Sequence, residues 1–177
     1  MNMLMTILII IIALFAVILI AALVVKKEYT IQRQVTINKA SQEVFDYIKY
    51  LKNQAKYSKW VMMDPDAKMD YIGIDGTVGF ISAWDSENKS VGKGEQEIEK
   101  ITEGSRIDCE IRFERPFKNV ANTFMSVTAV SANQTIMEWG MIGRNSYPFN
   151  LINLFIPDML AKDMDTSLVT LKGVLEK

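Results

Sequence analysis

Ser105-Arg106-Ile107-Asp108-Cys109-Glu110-Ile111-Arg112-Phe113-Glu114 is the stretch from which the fold is read. Ile107, Cys109, Ile111 and Phe113 alternate with Asp108, Glu110, Arg112 and Glu114, the period of a strand whose successive side chains point to opposite faces. One face is apolar and the other charged, so the strand belongs to an antiparallel sheet covered on one side. Residues 93–101 form the preceding strand, joined across Glu103-Gly104. Residues 119–130 and 135–144 follow as a pair around Ala132-Asn133-Gln134, after Pro116 has interrupted the run. In that pair Met125, Val127, Met137, Trp139 and Met141 repeat the apolar alternation. Further upstream, residues 68–74 and 78–84 flank Ile74-Asp75-Gly76-Thr77; Asp-Gly between apolar runs predicts a tight hairpin, because Gly tolerates positive φ.

The sheet needs a cover, and the C-terminus supplies one. Pro157-Asp158 opens a long helix in which Leu160, Met164, Leu168, Leu171 and Leu175 fall on one stripe, with Lys162, Asp163 and Lys172 elsewhere. Residues 30–37 (TIQRQVTI) form a first, β-branched strand; Ser41 is placed to cap a helix carrying Val44, Phe45, Ile48 and Leu51, and a short helical stretch runs over 54–60. The order is one strand, two short helices, a six-stranded meander and a long helix. It predicts an α+β fold in which a bent antiparallel β-sheet wraps around the C-terminal helix, with room for a cavity between them.

From Leu4 to Val25 every residue is apolar except Thr6. At about 1.5 Å per residue the segment is about 33 Å long, enough for a hydrocarbon core of about 30 Å. It reads as a transmembrane helix in front of the domain. A cleaved secretory signal fits less well: no Lys or Arg precedes the run, and Ala21-Ala22-Leu23 is a poor cleavage site. Lys26 and Lys27 follow directly, which puts the large domain in the cytoplasm. Residues 1–27 are thus an anchor with its flank, and residues 28–177 one domain.

Composition narrows the chemistry. A net charge of −1 and the absence of a basic stripe argue against nucleic acid as a partner. With no His and one Cys, there is no Ser/His/Asp or Cys/His triad, no His-ligated zinc and no intramolecular disulfide. Neither a metal nor a cofactor is expected. Asp64, Asp66 and Asp70 lack the Gly and distal Glu of an EF-hand, and Gly92-Lys93-Gly94 is too short for a phosphate loop. Asp158 suits the start of a helix through its dipole.

Val35-Thr36-Ile37-Asn38-Lys39-Ala40-Ser41-Gln42-Glu43-Val44-Phe45, then Trp60, Gly76-Thr77-Val78-Gly79, the Trp84 strand, Val91-Gly92-Lys93-Gly94, Pro116-Phe117, Thr135-Ile136-Met137-Glu138-Trp139 and a closing Leu168-Val169-Thr170-Leu171-Lys172 helix together resemble the START-like, or SRPBCC, superfamily. The resemblance is to its bacterial polyketide cyclase/dehydrase-like and lipid-transport members, and covers about residues 31–177. It implies the helix-grip fold and a cavity for lipids, polyketides or other apolar molecules. Ile107, Cys109, Ile111, Phe113, Met125, Val127, Met137, Trp139 and Met141 are the candidate wall, and Met164 and Leu168 the opposing helix. Thioethers suit a pocket for varied apolar ligands. For any single one of these residues, core is the simpler reading. In the opposite register Glu110, Arg112, Asn122, Phe124, Ser126 and Glu138 would line a polar cavity instead; cross-strand charge pairing on the solvent face is the simpler account.

The apolar connection over 147–156, bounded by Pro148 and Pro157, is too short to span a bilayer. It reads as a packed loop or as a segment touching the membrane. Three functions follow. The first is a membrane-anchored domain that binds a hydrophobic small molecule or lipid. The second is a cyclase/dehydrase-like enzyme working without His, with Tyr71, Tyr147, Glu110 and Glu138 as first candidates. The third is a non-catalytic interaction module held at a membrane.

Overall fold

A computed structural model describes residues 2–177. Helix α1 (Met3–Val24) is followed by strand β1 (Glu28–Ile37) and helix α2 (Ser41–Ile48). Two short helical turns come next, a 3₁₀ turn α3 (Leu51–Lys56) and α4 (Lys59–Met62). Then come β2 (Lys68–Ile72), β3 (Ile81–Asp85), β4 (Lys93–Thr102), β5 (Arg106–Arg115), β6 (Asn119–Ser131) and β7 (Gln134–Arg144). A 3₁₀ turn α5 (Phe149–Leu154) leads into the long helix α6 (Ile156–Leu175). The seven strands form one antiparallel sheet in the order β1-β7-β6-β5-β4-β3-β2.

The sheet bends where its register slips. Between Ile98 and Lys100 one residue of β4 goes unpaired, so that Ile98 lies opposite Cys109 and Ile101 opposite Ile107. Two isoleucines three apart in sequence thereby share a face, and the bulge adds local curvature. Two further slips lie between Lys93 and Gly94, at the start of β4, and between Ala129 and Ser131, near the far end of β6. α6 packs on the resulting concave face through Ala161, Met164, Ser167, Leu168 and Leu171. It is fastened to the edge strand by Lys172 Nζ, which donates to the Thr36 carbonyl at 2.7 Å, and by Glu176, which accepts from the Asn38 amide at 2.6 Å. Ser167 is wholly buried, yet satisfied: its Oγ donates to the Asp163 carbonyl and accepts from the Lys59 amide.

Local details depart from the sequence reading. Ser41 is the first helical residue; Ala40 occupies the cap position and no side chain bonds there. The 54–60 stretch divides into α3 and α4. The Asp-Gly turn is not a two-residue hairpin but a connection from Gly73 to Phe80 in which Gly76 has φ +80°. Its Asp75 reaches back to accept from the Leu51 and Lys52 amides at 2.8 and 3.2 Å, so the loop folds onto the start of α3 rather than closing tightly.

α1 is 22 residues of almost purely apolar sequence, long and apolar enough to cross a membrane. Its last turn touches the domain, where Ala22 is buried. Asn150, itself 0% exposed, donates from Nδ2 to the carbonyls of Ala22 and Val25, both at 2.7 Å, and Asn153 donates to those of Lys26 and Lys27, both at 2.9 Å. Asn145 completes the clasp: its amide N–H donates to the Lys27 carbonyl and its side chain to Asn153 Oδ1. A helix end leaves carbonyls without partners; here side chains of the β7–α6 connection take them up.

Candidate functional site

The concave face is read directly from the register. Ile107 lies opposite Met125, Met125 opposite Trp139, Val127 opposite Met137 and Thr123 opposite Met141. Ile31, Val35 and Ile37 continue the face on β1. Among the residues named from sequence, Ile107, Cys109, Met125, Val127, Met137, Trp139, Met164 and Leu168 form one contiguous buried cluster. Met141 is buried further along the same face, and Ile111 and Phe113 are partly exposed. The structure therefore gathers these side chains between sheet and helix and leaves the last two at an edge.

The sequence reading passed over what fills the middle. Tyr57, fully buried, lies edge-on to Trp139 with ring centroids 6.3 Å apart, and Trp60 approaches the same indole at 5.6 Å. The Tyr57 hydroxyl contacts Met125 Sδ at 3.5 Å, and Trp139 Nε1 donates to Thr123 Oγ1, which donates on to the Gly140 carbonyl. These are the aromatic walls of the grip. Tyr57 follows a helical turn in a polar stretch, with no periodicity to mark it as core. Burial pushes the Tyr57 phenol well above the usual range and the Cys109 thiol up to about 12. Both stay neutral near pH 7, so neither is an activated nucleophile or base.

The grip loosens towards the ends of β5 and β4. Phe113 meets Trp84 with centroids 6.0 Å apart, both half-buried, and Trp84 Nε1 donates to the Val91 carbonyl at 3.3 Å. Gly94 sits between them in register; a Cβ there would overlap the Trp84 indole. Beside this pair an open hollow of about 610 Å³ is lined by Arg112, Phe113, Glu114, Lys118, Asn119 and Val120. Asn119 Nδ2 donates to Asn145 Oδ1 at 3.4 Å, which ties the hollow to the clasp around the end of α1.

The charged face points away from α6. Arg112 donates to Glu95, Glu97 and Glu110 at 2.6, 2.6 and 2.8 Å; all four are partly exposed, and the three carboxylates hold the guanidinium pKa above its ordinary value. Phe124 is buried on this side beneath Arg106, whose Cζ is 3.9 Å from the ring centroid, and occupies the space over Gly140. The polar-cavity register is thus overturned: Glu110, Arg112, Asn122, Phe124, Ser126 and Glu138 share the convex face. A smaller hollow of about 260 Å³ lies there, among Arg106, Asp108, Asn122 and Ile142. The catalytic candidates are not brought together. Tyr71 stacks on Phe80 near the β2 edge, Tyr147 lies in the β7–α5 connection, and Glu110 is held by Arg112. Among the described residues no group of three or more Cys, Asp or Glu is arranged to hold a metal.

Solved structures share this architecture. A norcoclaurine synthase from Thalictrum flavum, in complex with dopamine and hydroxybenzaldehyde, superposes with a TM-score of 0.63 at 9% identity, over 88% of this chain and 90% of that one. A protein from Chromobacterium violaceum gives 0.60 at 14% identity, covering 84% and 97%. The Aha1 dimer from Colwellia psychrerythraea gives 0.57 at 13%, covering 84% and 96%. The fold is the helix-grip fold. At such identities the helix-grip likeness concerns architecture alone. No protein-family model matches the chain, and no curated protein matches it in sequence.

Proposed function

We propose that the chain is a membrane-anchored helix-grip protein that binds a hydrophobic small molecule or lipid between the sheet and α6. The observation that carries this reading is the concave face itself. Met125, Met137, Met141 and Met164 converge there with Trp139 and Tyr57, and unbranched thioethers can rearrange around an apolar guest where branched side chains cannot. Ile111 and Phe113, at the loosened edge, give such a guest a way in. The solved synthase with two small aromatic molecules supports a ligand of that size class on this fold.

Residues 1–27 act as the anchor and 28–177 as the binding domain, with Lys26 and Lys27 favouring a cytoplasmic domain. The Asn150 contact supports an anchor that is retained. Its Oδ1 has no partner, so cleavage at Ala21-Ala22-Leu23 would leave the buried side chain with one hydrogen bond, to the Val25 carbonyl.

The test uses the full chain, extracted in mild detergent and analysed by native mass spectrometry and solvent extraction. An apolar molecule in stoichiometric amount is expected. It should be absent from Ile111→Lys, which sets a charge at the partly exposed edge of the concave face without overpacking the centre. Wild type that is consistently empty, with no thermal shift in a panel of lipids and aromatic compounds, would overturn the reading. It would favour a membrane-held interaction module, a reading that gains some support from how fully Tyr57, Trp60 and Trp139 occupy the interior.

A further inference from the structure

The connection over 147–156 carries apolar side chains that the fold does not cover. Phe149 is 75% and Phe155 72% exposed, with Ile152, Leu154 and Met159 also exposed. Yet the same segment contains Asn150, the most deeply buried residue of the connection. The turn thus presents Phe149 outward on one side of Asn150 while Asn150 grips the last turn of α1.

That grip fixes a depth. Asn150 bonds the carbonyl of Ala22, three residues before the apolar run ends at Val25, or about 4.5 Å of helical rise inside the boundary. If α1 spans a bilayer, α5 is held at the edge of the hydrocarbon, the level at which amphipathic segments lie in an interface. The Phe117 turn, 78% exposed, is two residues from Asn119 and so belongs to the same end of the sheet. Single exposed apolar residues, such as Ile74, are ordinary on a domain surface, whereas a contiguous group of them marks a contact site.

We infer that α5 and the start of α6 form a membrane-contact surface, with Phe149 and Phe155 set into the leaflet from which α1 emerges, and that the Asn145–Asn150–Asn153 clasp sets the orientation. This inference rests on the anchor reading. It adds that the domain does not swing freely on its tether. The hollow beside Phe113 and Asn119 then opens next to lipid, so an apolar ligand can pass between bilayer and grip without crossing water.

The experiment places an environment-sensitive dye on the full chain in phosphatidylcholine vesicles, one site at a time, at Phe149→Cys, Phe155→Cys, Ile74→Cys and Leu14→Cys; the buried Cys109 is expected to stay unlabelled. Quenching is measured with lipids that carry a nitroxide near the headgroup or near the chain end. Dyes at 149 and 155 should be quenched several-fold more by the headgroup-level nitroxide than the dye at 74, in the hairpin at the opposite end of the sheet. The dye at 14 should respond to the deep nitroxide. Quenching at 14 without quenching at 149 and 155 would overturn the contact surface while leaving the anchor intact. No quenching at 14 would overturn the anchor reading and the contact surface with it. In Asn150→Ala/Asn153→Ala, quenching at 149 and 155 should fall towards the value at 74 with that at 14 unchanged; retention of full quenching would remove the clasp from the account.

Discussion

Asn150 and Cys109 show how burial, rather than residue type, assigns chemistry at the scale of single residues. The Cys109 thiol is raised from 9.0 to about 12 chiefly by desolvation, so the folded state keeps its proton where the unfolded chain has lost it. Stability from this group is complete below pH 9 and is lost as pH rises towards 12, by at most about 1.4 kcal/mol per pH unit. Chemical unfolding of Cys109→Ala should therefore show a shallower decline than wild type over that window; parallel curves would refute the assignment. Alkylation of the native thiol near neutral pH should be slow until denaturant is added. Tyr57 gives a second contrast. Its hydroxyl makes only a long contact to sulfur, so Tyr57→Phe should change stability by less than about 1 kcal/mol, whereas Tyr57→Ala should cost about 3–5 kcal/mol by opening a cavity. Neither Tyr57 nor Asn150 was legible as a site residue in the sequence, because each is a polar or amphipathic residue whose burial depends on distant partners: Met125 for one, the end of α1 for the other.

Among the elements, the strands and the turns at Glu103-Gly104 and Ala132-Asn133 were legible, and the Asp75-Gly76 turn was not. The alternation from Ile107 to Phe113 separates an apolar face from a charged one, since period two leaves no freedom once one face is covered; which of the two α6 covers was left open by the sequence and is read from the structure. The break at Ile98-Glu99-Lys100-Ile101 was passed over, because a bulge shows in sequence only as a lapse in alternation. The Asp75-Gly76 turn misled for a similar reason: the dipeptide fits a tight hairpin, but Gly73 and Gly79 also take positive φ and lengthen the connection. On α6 the stripe named from spacing omits Ala161 and Ser167, small residues that let α4 and the sheet approach. Met164→Ala should cost about 2–5 kcal/mol, as Met164 is fully buried between helix and sheet. On the convex face, Arg112→Met should cost about 1 kcal/mol, a value discounted because the pairs are partly exposed. The loss should shrink at high salt. Denaturant titration at two ionic strengths checks it.

For the whole molecule, the anchor and the grip behave as one object if the asparagine clasp holds. Removing residues 1–27, which carry every carbonyl of the clasp, should then loosen more than the missing helix: backbone amides over 149–155 should exchange faster with solvent while those of β6 and β7 stay protected. Uniform exchange in both forms would mean the clasp contributes nothing. The central claim is that an apolar molecule occupies the space between the concave sheet and α6. The most direct measurement is photo-crosslinking of the full chain in vesicles with a diazirine-bearing fatty acid, followed by peptide mapping. The account predicts adducts on peptides containing Met125, Met137 and Met164, reduced by Ile111→Lys, in addition to any on α1 and α5. Adducts confined to α1 and α5, with none on β6, β7 or α6, would contradict it.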